Sequence, residues 1–489
     1  MIDVTTKIHD QYSVEFKVSY RPDSPQKKHE FSLQSWYFIP NSLDINAANY
    51  GPTQFYKDVK SNIRLVIPVS TIQQLTDRQA NPYKKLRTHI QAYLNQPTSA
   101  HLDKVEYHSK MLVAIAKSAL RDAVAQLDDN KTQITHIERI IHDYTTYVPE
   151  MVNRVREILT TSAETSQYIA AFEELGEKNP LRLVDEYLSK VIEIYTFRVI
   201  KIATSHALSD ENLLSILVHE KTYAESHQFT YAQPDTPKNN QELVARYSLL
   251  KKYVEKILYI RLQKKEDGYA ISQVFFSIAA GIAMVFATII AFAMAWRYGN
   301  ASLPLFLALI VSYMLKDRIK ELMRYYFAGK IHQHFYDFKA KIHIGAKRVG
   351  VIREGMLFVK DKHIPKEILT MRNRTGLLEM ENVINNEKII AYRTHVSLDN
   401  KKFKQLHSYQ KAGIHDIFRL YLHRFTHKMD NPEVRLQTLD KNNHMVSIKA
   451  QRRYYIHVIM RLVYNEEVSY KHLVLVMTRK GIVEVSEHS

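Results

Sequence analysis

The chain has no cysteine among its 489 residues. That excludes disulfides and every thiolate-based metal or redox site. Glycine is scarce, 12 in all, and neither a G-x-G-x-x-G nor a Walker A pattern occurs. The nearest approach, GAKRVG at 345–350, continues with Val and Ile instead of Lys and Ser/Thr. The common backbone cradles for nucleotide phosphates are therefore missing. G-x-S-x-G is also absent, so an α/β-hydrolase elbow gets no support. The N-terminal stretch MIDVTTKIHDQYSVEF has no apolar h-region, and no cleavable signal peptide is expected. There is no internal repeat and no low-complexity segment.

A local absence matters more. No charged residue lies between Asp267 and Arg297, and none between Arg297 and Lys316. The stretch reads YAISQVFFSIAAGIAMVFATIIAFAMAW, turns through RYGNASLP and closes with LFLALIVSYML. The first run exceeds the roughly 20 apolar residues that cross a ~30 Å hydrocarbon core. The mean hydropathy of −0.30 fits one short apolar insert in a polar chain, not a polytopic transporter. The expectation is a transmembrane hairpin over 268–316, with spans at about 269–296 and 302–316. Tyr269 and Trp296 are its interfacial anchors, and Lys264, Lys265, Lys316 and Arg318 its flanking cations. The spans are unequal, so the second crosses only if Lys316 and Arg318 snorkel, the bilayer thins or the Tyr298 side contributes; otherwise it is re-entrant. Ala279, Ala283, Ala287, Ala291 and Ala295 recur every four residues, a row that lets helix backbones approach closely. It would pack against the hairpin partner or a second copy of the chain. The first span has no ionisable residue and offers no proton or ion relay.

Charge is unevenly distributed. Residues 1–267 hold 34 basic and 33 acidic side chains, whereas 268–489 hold 34 and 18, so nearly all of the net +17 follows the apolar stretch. Residues 316–374 alone carry 15 basic and 6 acidic groups. Lys and Arg cluster before and after the hairpin while its loop has only Arg297, which puts both flanks on the cytoplasmic side. The expected setting is multi-pass in a bacterial inner membrane with both termini cytoplasmic. Lys320, Arg324, Tyr325 and Lys330 would contact anionic headgroups. The same basic–aromatic stretches, KDRIKELMRYYFAGK and KAQRRYY, suit nucleic acid less well this close to a bilayer.

The fold class expected is an α+β integral membrane protein. In residues 1–72, YSVEFKVSY alternates Val14, Phe16, Val18 and Tyr20 with polar neighbours, the pattern of a half-buried strand in a small antiparallel unit. Residues 73–267 read as a long helical bundle, with Pro180 near a helix start and the last helix running nearly straight into the membrane. A basic amphipathic helix follows over 317–345. An antiparallel β-rich domain closes the chain over 346–489, with one helix at about 403–428 and a strand hairpin turning at 465–467.

Chemistry is hard to find. His219-Glu220 begins like a zincin helix, but Tyr223 stands where the second His must be. His423 and His427 are spaced as metal ligands on one helix face, with Asp416 and Asp430 in range, yet their surroundings are basic. His142-Asp143 lacks the rest of an HD-type phosphohydrolase pattern. His332, His334 and His343 lie near the membrane exit. No catalytic residue, metal or cofactor is assigned. The function expected is a non-enzymatic membrane scaffold or signalling component, homo-oligomeric, with lipid and an unidentified protein as partners. The alternatives are an enzyme acting on lipid or a membrane-proximal substrate, and a pore-forming effector.

Overall fold

A computed structural model describes residues 1–22, 26–127, 134–159, 172, 175–176, 179–208, 211–234, 237–299, 302–334, 336–344, 347–372, 387–406, 409 and 413–488. The fold is α+β, and the chain divides into two compact units, Met1–Arg64 with Ile260–Ser489, and Leu65–Tyr259.

The first unit is built on two antiparallel sheets that draw on both ends of the chain. Strands β1 (Ile2–Asp10), β2 (Ser13–Tyr20) and β4 (Val59–Leu65) form a four-stranded sheet with β9 (Ile414–Tyr421), in the order β1-β2-β9-β4. The alternation read at Val14, Phe16, Val18 and Tyr20 is real, and all four side chains are buried. Strand β3 (Lys28–Ile39) instead lies inside an eight-stranded sheet, between β8 (Lys388–Asp399) and β12 (Tyr454–Tyr464). That sheet runs outward through β13 (Glu467–Thr478) and β14 (Gly481–His488) on one side. On the other it runs through β7 (Lys347–Val359), β6 (Phe338–Ile344) and β5 (Arg261–Glu266). Aromatic rings join the sheets face to face: Tyr20 meets Phe31 at 5.4 Å and Tyr392 meets Phe418 at 5.9 Å between centroids. A small exposed ribbon, β10 (Glu433–Leu439) with β11 (Met445–Gln451), completes the strands.

Four expectations change here. The N-terminal strands do not form a unit of their own over 1–72, because a lone edge hairpin cannot bury Phe16 and Phe31, whereas pairing with the C-terminal strands can. The bundle does not run into the apolar segment. It ends in a single 3-10 turn at Lys256–Leu258, and the chain then enters β5 before a left-handed Gly268 (φ 75°) redirects it. The helix expected at 403–428 is confined to Asn400–Leu406 and His423–Thr426, with β9 between them. The amphipathic helix expected over 317–345 is the continuation of a helix that stops at His334 and gives way to β6.

The second unit is helical. Taking α1 as Pro52–Asp58 of the first unit, its main helices are α2 (Asn81–Asn95), α3 (Ser99–Leu127), α4 (Ile134–Leu159), α5 (Pro180–Ser205), α6 (Glu211–Ser226) and α7 (Pro237–Glu255). Helix α5 starts where Pro180 predicts, with Asn179 Oδ1 accepting from the backbone N–H of Leu181 at 2.9 Å. Around Arg156 of α4 the bundle buries a charged knot. Its guanidinium donates to both oxygens of Glu220, at 2.9 and 2.7 Å, and to Asp185 at 3.3 Å, and it stacks on Tyr223.

Candidate functional site

Two long helices leave the first unit between β5 and β6: α8 (Tyr269–Tyr298) and α9 (Leu303–His334). Strands β5 and β6 are antiparallel neighbours, with Glu266 opposite Phe338 and Arg261 opposite His343. Asp267 donates its backbone N–H to Asp337 O at 3.1 Å, closing the base. The helical excursion is thus rooted at both ends in one sheet edge. Among the described residues one helix, over Ser272–Tyr298, is long and apolar enough to cross a membrane.

The two helices pack antiparallel. Ser312 Oγ donates to Ala287 O at 3.2 Å, and the Arg324 guanidinium covers the Phe276 ring at 4.9 Å. Twelve residues forward along α9 therefore correspond to eleven back along α8. Of the alanine row, Ala279 and Ala283 are 0% exposed while Ala287, Ala291 and Ala295 are half-buried. The row lies in the seam between the two helices, which leaves Ala279 and Ala283 covered within the chain. Gly281, on the neighbouring row, faces open space. Among the described residues of this pair Ser312 is the one buried polar side chain, and its hydroxyl has a partner inside the helical backbone.

The residues expected as anchors separate into three places. Tyr269 lies at the root and Trp296, 94% exposed, near the tip. Twenty-seven positions along one helix put them about 40 Å apart. Lys316, half-buried with Nζ 3.8 Å from the Tyr313 ring, comes four residues after Ser312 and stands level with Ala283, halfway along α8. Arg318 pairs with Glu321 at 3.3 Å on the exposed surface, beside Lys320 and Arg324. Tyr325 is exposed, and the side chains of Lys330, His332 and His334 lie outside the described residues. Lys265 is exposed on β5. Lys264 is exposed but tied to the first unit: Nζ donates to Glu354 Oε2 at 2.8 Å and sits over the rings of Tyr56 and Phe338.

A cavity of about 570 Å³ opens at the root, lined by Tyr56, Asp267, Tyr269, Phe276, Tyr336 and Asp337 among others. Tyr56 donates its hydroxyl to Asp337 Oδ2 at 2.9 Å, and Met356 N–H donates to the same oxygen at 2.7 Å. Burial, with Asp337 beside it, pushes the Tyr56 phenol well above its ordinary range. Tyr56 and Asp337 therefore hold a neutral phenol against a carboxylate and satisfy each other.

Elsewhere the sequence candidates turn structural. Glu220 belongs to the Arg156 knot and Tyr223 donates to Asp185 at 2.6 Å, so these two side chains lock helices together, while His219 is exposed. His142 and Asp143 are both exposed. His423 and His427 do approach, Nε2 to Nε2 at 3.0 Å. Asp416 is buried on β9, accepting from Ser61 Oγ at 2.8 Å, and Asp430 pairs with Arg452. Among the described residues no three His, Asp or Glu side chains converge as a metal-binding group.

Sequence reasoning missed two features. Burial, reinforced by Glu354, raises the Asp416 carboxyl to about 7. His457, His472 and His488 form a ladder across β12, β13 and β14, with His457 Nδ1 3.0 Å from His472 Nε2 and His472 opposite His488. Burial lowers His457 to about 3 and His472 to about 4. The spacing of His457 and His472 about the turn at Asn465 and Glu466 was the available signal. Both turn residues have positive φ, as a tight hairpin turn demands. The chain matches no protein-family model, no curated protein and no solved structure.

Proposed function

We propose that this is a membrane-anchored, non-catalytic protein whose helical hairpin fixes a β-sheet body and a helical unit to one face of a bilayer. There it would serve as a scaffold or signalling component through partner binding. One observation carries the reading. The ends of an exposed apolar hairpin are planted in adjacent, hydrogen-bonded strands, so the chain must leave and return on the same side. The β5–β6 pairing supports a hairpin over a crossing by α8 alone. The Lys and Arg flanks favour the cytoplasmic side.

The chain in native membranes should resist extraction by alkaline carbonate. In mild detergent it should migrate with a stoichiometric protein partner or as a self-associated species. Release by carbonate would overturn the anchor, and a monodisperse lone chain would overturn the scaffold. The root cavity supports a second reading, an enzyme acting on lipid or a membrane-proximal substrate. Turnover of a membrane lipid that disappears in Tyr56→Phe and Asp337→Asn variants would favour it over the scaffold. A pore built on the alanine row has less support, since Ala279 and Ala283 already face α9.

A further inference from the structure

The register between the two helices says more about the bilayer than either helix does alone. Measured on α8 alone, 27 residues are available to cross. The partner helix shortens that span. From Leu303 to Leu315 α9 is apolar, with Phe306, Leu307, Val311 and Met314 exposed, and beside it α8 exposes Met284, Val285, Ile289 and Phe292. From Lys316 onward α9 carries Lys316, Asp317, Arg318, Lys320, Glu321 and Arg324. These charges stand level with Ala283 to Phe276, so the lower half of the long apolar helix runs alongside a charged one. Only the upper part is apolar all round. That is 13 residues on each helix, from Met284 to Trp296 and from Leu303 to Leu315, or about 20 Å.

The band has two polar boundaries. Trp296, Arg297 and Tyr298 close it at the tip, with Arg297 over the Tyr298 ring, and the Lys316–Arg324 collar closes it below. A turn of backbone cannot stop within hydrocarbon, where its N–H and C=O groups find no partners, so the tip must reach the far headgroups. The collar must remain near the other surface, because Asp317 and Glu321 cannot snorkel as Lys and Arg do. Both conditions hold together only across a core about 10 Å thinner than the usual ~30 Å.

Building on the membrane reading above, we propose that the surface this hairpin fits is a thin bilayer: it crosses where the hydrocarbon core is short and thins it where it is not. The basic members of the collar complement anionic headgroups at the boundary they mark.

The absence of native cysteine makes the test direct. Ser302→Cys at the tip is reconstituted into sealed phosphatidylcholine vesicles with myristoleoyl, oleoyl or erucoyl chains, each with a fixed fraction of anionic lipid. Vesicle-associated chain is isolated by flotation. A membrane-impermeant maleimide enclosed in the lumen then reports the fraction of tips that cross. Labelling should be greatest in myristoleoyl vesicles and fall roughly tenfold in erucoyl ones. A triple variant, Asp317→Leu, Arg318→Leu and Lys320→Leu, lengthens the band and should move the optimum to longer chains. Quenching of Trp296 emission by enclosed iodide supplies a second readout, should Ser302→Cys disturb the turn. Lumenal access that is flat across the series, or greatest in long chains, overturns the thin-bilayer inference while leaving the anchor in place. Failure to float with any vesicle overturns both.

Discussion

Asp416 shows how an unremarkable residue becomes a liability through its neighbours. Its carboxyl is buried in β9, accepts one hydrogen bond from Ser61 and faces the charge of Glu354. Its folded value of about 7 lies above the ordinary 3.8, so the folded state holds its proton over a range where the unfolded chain has lost it. Stability from this group is therefore complete below about pH 4 and is lost as pH rises through about 7. Asp416→Asn keeps an acceptor for Ser61 and removes the charge. It should raise the unfolding free energy read from urea titration at about pH 8, by up to ~4 kcal/mol if the whole shift is expressed, with little change near pH 4. Equal gains at both pH values would remove the titration as the cause. Lys264 teaches a related lesson. Its place next to the apolar run suggested a headgroup anchor, but its environment is set by Glu354, ninety positions away, a neighbour that only the fold supplies.

At the scale of elements, legibility depended on whether one periodicity stood alone. Val14, Phe16, Val18 and Tyr20 alternate cleanly and no helical face competes, so β2 could be read directly. Ile414 to Tyr421 could not. Ile414, Ile417, Phe418 and Tyr421 satisfy helical spacing as well as Ile414, Phe418 and Leu420 satisfy strand spacing, and pairing with β2 decides the matter. The helical hairpin was legible in composition but not in register, and its usable width depends on register. The seam at Ala283 offers the sharpest check on the pairing. Ala283→Leu drives a larger side chain into a fully covered position and should cost about 1–3 kcal/mol in detergent-solubilised protein. Ile282→Leu, one residue away and exposed, should leave the unfolding midpoint unchanged. Similar effects from both variants would mean that α8 and α9 do not meet along the alanine row.

For the whole molecule, the chain is best described as one sheet-built body with two large insertions, each leaving and returning through neighbouring backbone. The hairpin departs between β5 and β6. The helical unit departs after β4 and returns where Ile260 N–H donates to Ile63 O at 3.0 Å. This nesting was invisible in the sequence because period-2 patterning tells which side of a strand is buried, never which distant strand lies beside it. It predicts that residues 66–258 can be replaced by a short Gly/Ser linker. The shortened protein should keep the near-ultraviolet signature of its packed aromatics and a cooperative thermal transition; aggregation or a molten spectrum would show that the body needs the insertion to fold. The interleaved sheet also sets a timetable. Strand β3 ends at Ile39 and its neighbour β8 begins at Lys388. At ~5–20 residues per second, a ribosome leaves β3 without either neighbour for on the order of 20–70 s. During that interval the helical unit can finish folding and the apolar hairpin emerges, still attached to an open half-sheet. On the membrane-anchored reading proposed above, the hairpin would reach the lipid before the body closes behind it, and targeting of the nascent chain would precede completion of the domain that it anchors.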